Sequence, residues 1–137
     1  MKITPKYFED FEVGFSFETK PTLISKEEII DFASKYDPQL FHLDEEKAKD
    51  GPFGQLTSSG FMTLGKSFTQ IFMTGIFDGT SMGAWGIDEL RWTKPVYPGD
   101  NLKTKVEVIE KKNLLKIQKK VRLDFNIQLQ MMAMKLL

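Results

Sequence analysis

The chain has 137 residues, 41% of them apolar and 28% charged, enough for one globular domain with a core and too few for two. Nineteen basic and nineteen acidic side chains cancel, so no global field draws the protein to nucleic acid or to an anionic membrane. Zero cysteines exclude a disulfide framework, thiolate-bound zinc and a cysteine nucleophile, and a single histidine excludes a multi-histidine metal site within one subunit.

Met1 to Pro21 mixes polar and aromatic residues without a charged-then-apolar signal region, and no apolar run in the sequence is long enough to span a bilayer. A cytoplasmic location is the expectation. A strand is predicted near Phe15 to Thr22. Ser25-Lys26-Glu27-Glu28 then has the spacing of a capping box, in which the serine hydroxyl takes a free amide of the first turn and Glu28 reaches back to the cap. The helix that follows places Ile29, Phe32, Ala33 and Tyr36 on one face. Pro38 disfavours helical geometry in the residue before it, so this helix should stop at Asp37. Asp44 is predicted to cap a second, short helix over residues 45–50, broken by Gly51-Pro52.

In "FGQLTSSGFMTLGKSFTQIFMTG", Phe61, Leu64, Phe68, Ile71 and Phe72 recur at helical spacing, and Gly75 is a natural stop. The helix is apolar on most of its circumference and is expected to be buried. Its first turn is predicted to be made of the small residues Thr57-Ser58-Ser59-Gly60. From Ala84 the period changes to two. Trp85 and Ile87 share one parity and Leu90 and Trp92 the other, so a β-bulge is predicted at Asp88-Glu89. "KPVYPGD" is a turn between strands. Leu102, Thr104, Val106 and Val108 then alternate with Lys103, Lys105 and Glu107, the pattern of a half-solvated strand.

Beyond residue 116, apolar residues from Ile117 to Met131 alternate without Gly or Pro. As one strand, residues 116–137 would span about 70 Å, against a radius of gyration of ~14 Å for a compact chain of this size. A turn is therefore required, and Asn126-Ile127-Gln128 is the predicted place. The lysine pairs Lys111-Lys112 and Lys119-Lys120 read as solvated faces. Helices first, one long helix in the middle and then antiparallel strands indicate an α+β chain, a curved antiparallel sheet around one central helix.

The chemistry concentrates in "YDPQLFHLDEE". Histidine is the side chain best suited to proton transfer near neutral pH, and Asp37, five residues before His42, is placed to orient it or share the work across a proline turn. Asp44 is the cap of the next helix. The amides at the start of the long helix form a second element, suited to an anion or a developing oxyanion. Gly60 has two readings there: close approach of a ligand to the backbone, or close packing of another part of the chain.

"DPQLFHLDEEKA", "PFGQLTSSGF" and "GIDELRWTKPVYPGD" resemble the MaoC-like dehydratases and (R)-specific enoyl-CoA hydratases of the hotdog superfamily, from about Tyr7 to Glu110. The resemblance implies a single hotdog domain over residues 1–137, a homodimer or higher homo-oligomer, and acyl thioesters of coenzyme A or acyl carrier protein as substrates; no cofactor and no metal are expected. It implies that Asp37 and His42 activate water and that the amide of Gly60 or a neighbour donates to the thioester oxygen. Ser59, Phe61 and Phe53 are the expected substrate-binding residues. Hydratases of this type carry Asp-x-Asn-Pro-x-His, whereas here proline follows Asp37 directly and Gln39 stands at the asparagine position. They also carry histidine before the helix-start glycine, where this chain has Ser59, and a polar turn before the final strand that is shortened here. The expected activity is reversible hydration of a 2-enoyl thioester. A non-catalytic acyl-thioester binding module is the alternative. A thioesterase is disfavoured because residues 61–74 contain no Asp or Glu.

Overall fold

The computed structural model describes residues 2–4, 6–84, 86–113, 121–129 and 132–136, with the strands beyond Lys111 described through their backbone pairing. The capping box forms as the sequence predicts. The Glu28 amide donates to Ser25 Oγ at 3.2 Å and the Ser25 amide to the Glu28 carboxylate at 3.3 Å, opening helix α1 (Lys26–Tyr36). Ile29 and Ala33 are buried, but Tyr36 is exposed and meets Phe32 at a tilt of 50°, with ring centroids 5.1 Å apart. The buried stripe ends one turn early because the chain leaves the core at Asp37. Two single-turn helices follow, α2 (Leu40–Leu43) and α3 (Glu45–Ala48).

Helix α4 (Gly60–Phe72) differs from expectation in which face it buries. Of the five apolar residues at helical spacing only Ile71 is fully buried, and Phe61 and Phe72 are exposed. The buried face carries Met62, Thr63, Ser67 and Gln70 instead. Small hydroxyl residues let the helix lie close to its neighbours, and they return their hydrogens to helix carbonyls, Ser67 to Thr63 at 2.7 Å and Thr63 to Ser59 at 3.2 Å. These buried hydroxyls are thereby satisfied.

The strands are β1 (Ser16–Glu18), β2 (Thr22–Leu23), β3 (Ile87–Trp92), β4 (Asn101–Leu102), β5 (Thr104–Asn113), β6 (Val121–Leu129) and β7 (Met132–Leu136). Five of them form an antiparallel sheet in the order β1-β5-β6-β7-β3, and β2 pairs separately with β4. The single strand predicted over Phe15 to Thr22 is therefore two, because its halves pair with different partners. Gln70 sits at that break. Its amide nitrogen contacts the carbonyls of Lys20 at 3.1 Å and Leu102 at 2.7 Å and the Thr22 hydroxyl at 3.0 Å, while its oxygen accepts from Thr104 Oγ1 at 2.5 Å.

The predicted bulge appears as a register shift between Ile87 and Glu89; Trp85 lies outside the described residues. Leu102, Thr104, Val106 and Val108 are buried while Lys105 is exposed. The predicted turn at Asn126-Ile127-Gln128 is not one. β6 runs straight through it, with Asn126 opposite Glu107 and Gln128 opposite Lys105, and the chain reverses between Leu129 and Met132, which face each other. Polar residues two apart suit a strand's period as well as they suit a turn. Ile117 lies outside the described residues. β7 is flanked by β6 and β3, so the sheet's edges are β1 and β3 and not the final strand.

The core has two parts. Phe11, Ile71, Ile76, Val106 and Val108 lie on one side, and Ile24, Ile29, Ala48, Leu56, Met62, Val96 and Leu102 on the other, with Leu64 of α4 and Leu90 of β3 packed against both. Full burial of each larger side chain contributes roughly 1.5–3 kcal/mol. Lys111 is not a solvated lysine. Its ammonium donates to the carbonyls of Glu9 at 3.2 Å and Phe11 at 2.9 Å and lies 4.5 Å from the centre of the Phe8 ring. The side chains of Lys112, Lys119 and Lys120 lie outside the described residues. Among the described residues no helix is long and apolar enough to cross a membrane.

Candidate functional site

Asp37 closes α1 with φ −154° and ψ 68°, its amide making the last helical bond to Ala33 at 3.0 Å. That non-helical backbone is what the following proline demands. The Gln39 amide then donates to the Asp37 carbonyl at 2.8 Å and the His42 amide to the Gln39 carbonyl at 2.9 Å, so the chain folds back on itself within one turn. The result sets Asp37 Oδ2 at 3.4 Å from His42 Nε2, with side chains 18% and 8% exposed. The other carboxylate oxygen, Oδ1, accepts from Gln39 Nε2 at 2.7 Å.

His42 Nδ1 lies 2.6 Å from the carbonyl oxygen of Thr57. A carbonyl only accepts, so Nδ1 carries the hydrogen and, in the neutral ring, the lone pair is on Nε2, facing Asp37. The Thr57 segment is itself held in place, its amide donating to the Phe41 carbonyl at 2.9 Å and the next amide, of Ser58, to Val96 at 2.7 Å. The edge-to-face ring contacts of Phe41 with His42 (4.5 Å) and with Phe53 (5.3 Å) flank the imidazole.

Burial pushes the Asp37 carboxyl up, but hydrogen bonds from Gln39 and Ser59 and the nearby His42 outweigh it and hold the group below its ordinary value. Ser59 is fully buried and accepts the Phe61 amide at 3.2 Å, so the hydroxyl that caps α4 is also one that lowers Asp37. Asp44 is a cap, as predicted, accepting the amides of Glu46 at 3.1 Å and Lys47 at 3.0 Å, and it takes no part in the pair. Gly60, at the first position of α4, is packed against another part of the chain. A Cβ there would lie 2.6–2.8 Å from three atoms of the Trp92 indole. Phe61 meets the same indole edge-on at 5.7 Å.

The family described as MaoC like domain matches residues 10–127. The chain belongs to the MaoC-like dehydratase family. This MaoC-like chain is 39% identical over 103 residues to the protein YdeM of Bacillus subtilis (strain 168), across 75% of this chain and 73% of YdeM. Among solved structures it is similar to the MaoC-like dehydratase from Rhodospirillum rubrum, with 28% identity and a TM-score of 0.81, covering 96% of this chain and 94% of that one. R-hydratase PhaJ1 from Pseudomonas aeruginosa gives 25% identity and a TM-score of 0.70, covering 95% and 82% of the two chains. The α+β fold is the hotdog arrangement of these neighbours.

Within this MaoC-like frame the structure brings Asp37, His42 and Ser59 together and puts Gly60 directly after them. Phe53 stands behind Phe41, and Phe61 is on the outer side of α4 beside Trp92. Three contributors were not visible as such in the sequence. Gln39 was the most accessible of them, being a donor two residues from Asp37. The Thr57 carbonyl had no signal, since every residue type carries one. Trp92 was one more apolar residue of a strand.

Proposed function

We propose that the protein catalyses reversible hydration of a 2-enoyl thioester, carried by coenzyme A or acyl carrier protein, to the 3-hydroxyacyl thioester. The observation that carries this reading is the pair of Asp37 Oδ2 and His42 Nε2 at 3.4 Å, with the other imidazole nitrogen committed to Thr57. Nε2 takes a proton from a water that Asp37 orients, and the hydroxyl oxygen adds to the β-carbon. The displaced electron pair moves onto the thioester oxygen, where the Gly60 amide donates to it. The enolate then collapses, and the proton on Nε2 passes to the α-carbon. Water has been added across the double bond and the pair is restored. Loss of one such oxyanion donor typically costs ~3 kcal/mol of barrier.

Membership of the MaoC-like family and the likeness to an R-hydratase support the reaction class. The proposed oligomer is a dimer of this chain, supported by an edge strand, β3, that ends beside the site. The test uses purified protein with crotonyl-CoA and longer enoyl-CoAs, followed by loss of the conjugated thioester's ultraviolet absorbance. Asp37→Asn and His42→Ala should each abolish that loss with an unchanged circular dichroism spectrum. Turnover at the wild-type rate in either variant overturns the assignment. Saturable binding without turnover across the panel would favour the binding-module alternative.

A further inference from the structure

Gly60 carries the amide that the proposed reaction uses, yet its Cα is not open to a ligand on the side where a side chain would stand. That space is filled by the Trp92 indole, whose Cε2, Cδ2 and Cζ2 would lie 2.6, 2.8 and 2.8 Å from a Cβ, closer than real Cβ contacts come. Glycine at this position is therefore required by the tryptophan. The contact joins two elements of different origin. Trp92 is the last residue of β3, an edge strand of the five-stranded sheet, and Gly60 is the first residue of α4.

Two further observations give the contact a role beyond packing. No acceptor among the described residues takes the Gly60 amide hydrogen, so that donor is available at the flank of the indole. The indole itself is 46% exposed although one of its faces is occupied, and the exposed Phe61 meets its edge. In the single chain, part of this aromatic surface therefore lies open beside the start of α4. Preceding the Gly60 amide, Ser59 Oγ accepts the Phe61 amide at 3.2 Å and caps the helix. Movement of the helix start would carry both groups with it.

We propose that Trp92 is a working part of the thioester site: its indole fixes the Gly60 amide and forms the wall against which the bound thioester group rests. The proposal rests on the hydratase reading, and it gives a specific job to an aromatic strand residue. Truncating the indole frees the helix start to shift, and the amide then no longer meets the oxygen as charge develops on it. Its loss should appear mainly in kcat, because an oxyanion donor acts most strongly in the transition state.

The test has a kinetic and a spectroscopic arm. With crotonyl-CoA, Trp92→Ala is expected to lower kcat about ten-fold or more while changing KM less than about three-fold. Trp92→Phe, which keeps a ring over the glycine, should restore most of the rate. Gly60→Ala should also lose activity, and the double variant Gly60→Ala/Trp92→Ala should be no worse than the poorer single, since residues in contact do not add. Melting temperatures are recorded for each. A loss of stability with kcat per folded enzyme unchanged, or strict additivity, overturns the proposal. In the second arm, Trp85→Phe leaves Trp92 as the one tryptophan of the two in the chain. Its emission should shift when butyryl-CoA, which cannot be hydrated, is bound. Unchanged emission with butyryl-CoA shown bound by equilibrium dialysis overturns the proposal. A shift without turnover of any enoyl-CoA retains Trp92 in the site and removes only the hydratase reading. Absence of binding removes both.

Discussion

The carboxylate of Asp37 is held at both ends: Oδ1 accepts the Gln39 amide nitrogen at 2.7 Å, and Oδ2 faces His42 Nε2 at 3.4 Å. The orientation of the pair is thus set by a side chain in the same short turn, and the Gln39 contact has consequences that can be measured.

The first concerns pH. Asp37 is held below its ordinary value, so it stays ionised further into acid than a free aspartate. A depressed carboxyl contributes stability above its unfolded value and loses that contribution as pH falls through the folded value. Gln39→Ala removes one of the interactions that lower it and should move the Asp37 carboxyl up toward its ordinary value, read directly by NMR titration of the side-chain carboxyl. A titration that stays in place, or moves to lower pH, contradicts the role assigned to Gln39.

A second prediction concerns the break between β1 and β2. Gln70→Leu fills a similar volume but leaves the carbonyls of Lys20 and Leu102 and the Thr104 hydroxyl without their partner. Leaving buried polar groups unsatisfied costs about 1–3 kcal/mol each, so a total near 3 kcal/mol is expected. Urea denaturation would register it as a lower midpoint at an unchanged slope.

Ser25 offers a smaller and cleaner effect. Ser25→Ala removes the acceptor for the Glu28 amide while leaving the exposed surroundings of the cap otherwise intact. The expected loss is about 1 kcal/mol. Thermal unfolding should show it as a drop of a few degrees, with kcat retained.

Gly75, after α4, has φ +81°, and a Cβ there would lie 2.9 Å from the Asp78 carboxylate. Gly75→Ala therefore adds a conformational penalty of about 1–2 kcal/mol to a clash that the Asp78 side chain must relieve. If calorimetry found the variant as stable as the wild type, the left-handed backbone at this position would be in doubt.

The features that the sequence announced correctly are those set by neighbours in the chain. The Ser25 box, the stop at Asp37, the Asp44 cap and the bulge near Asp88 each depend on a handful of consecutive residues. The burial of Thr63, Ser67 and Gln70 in place of Phe61 and Phe72 was not legible, because it depends on what α4 meets and on hydrogen bonds that make hydroxyls acceptable inside. The misplaced turn at Asn126 has a similar origin: alternation describes a strand but not where it ends. In the site, the proximity of Asp37 to His42 followed from spacing and a proline. The Thr57 carbonyl and the Trp92 indole did not, since both arrive from distant segments, one as a backbone group without residue identity.

The place of β7 between β6 and β3 bears on how the protein comes into being. As the chain leaves the ribosome, β3 is made well before the strand that will hold it in the sheet. Until β7 is made, Trp92 belongs to an unattached ribbon, and its station over Gly60 depends on a strand that does not yet exist. The site's residues are encoded before the strand that anchors its wall, so newly made chains acquire the finished site only after β7 has been inserted.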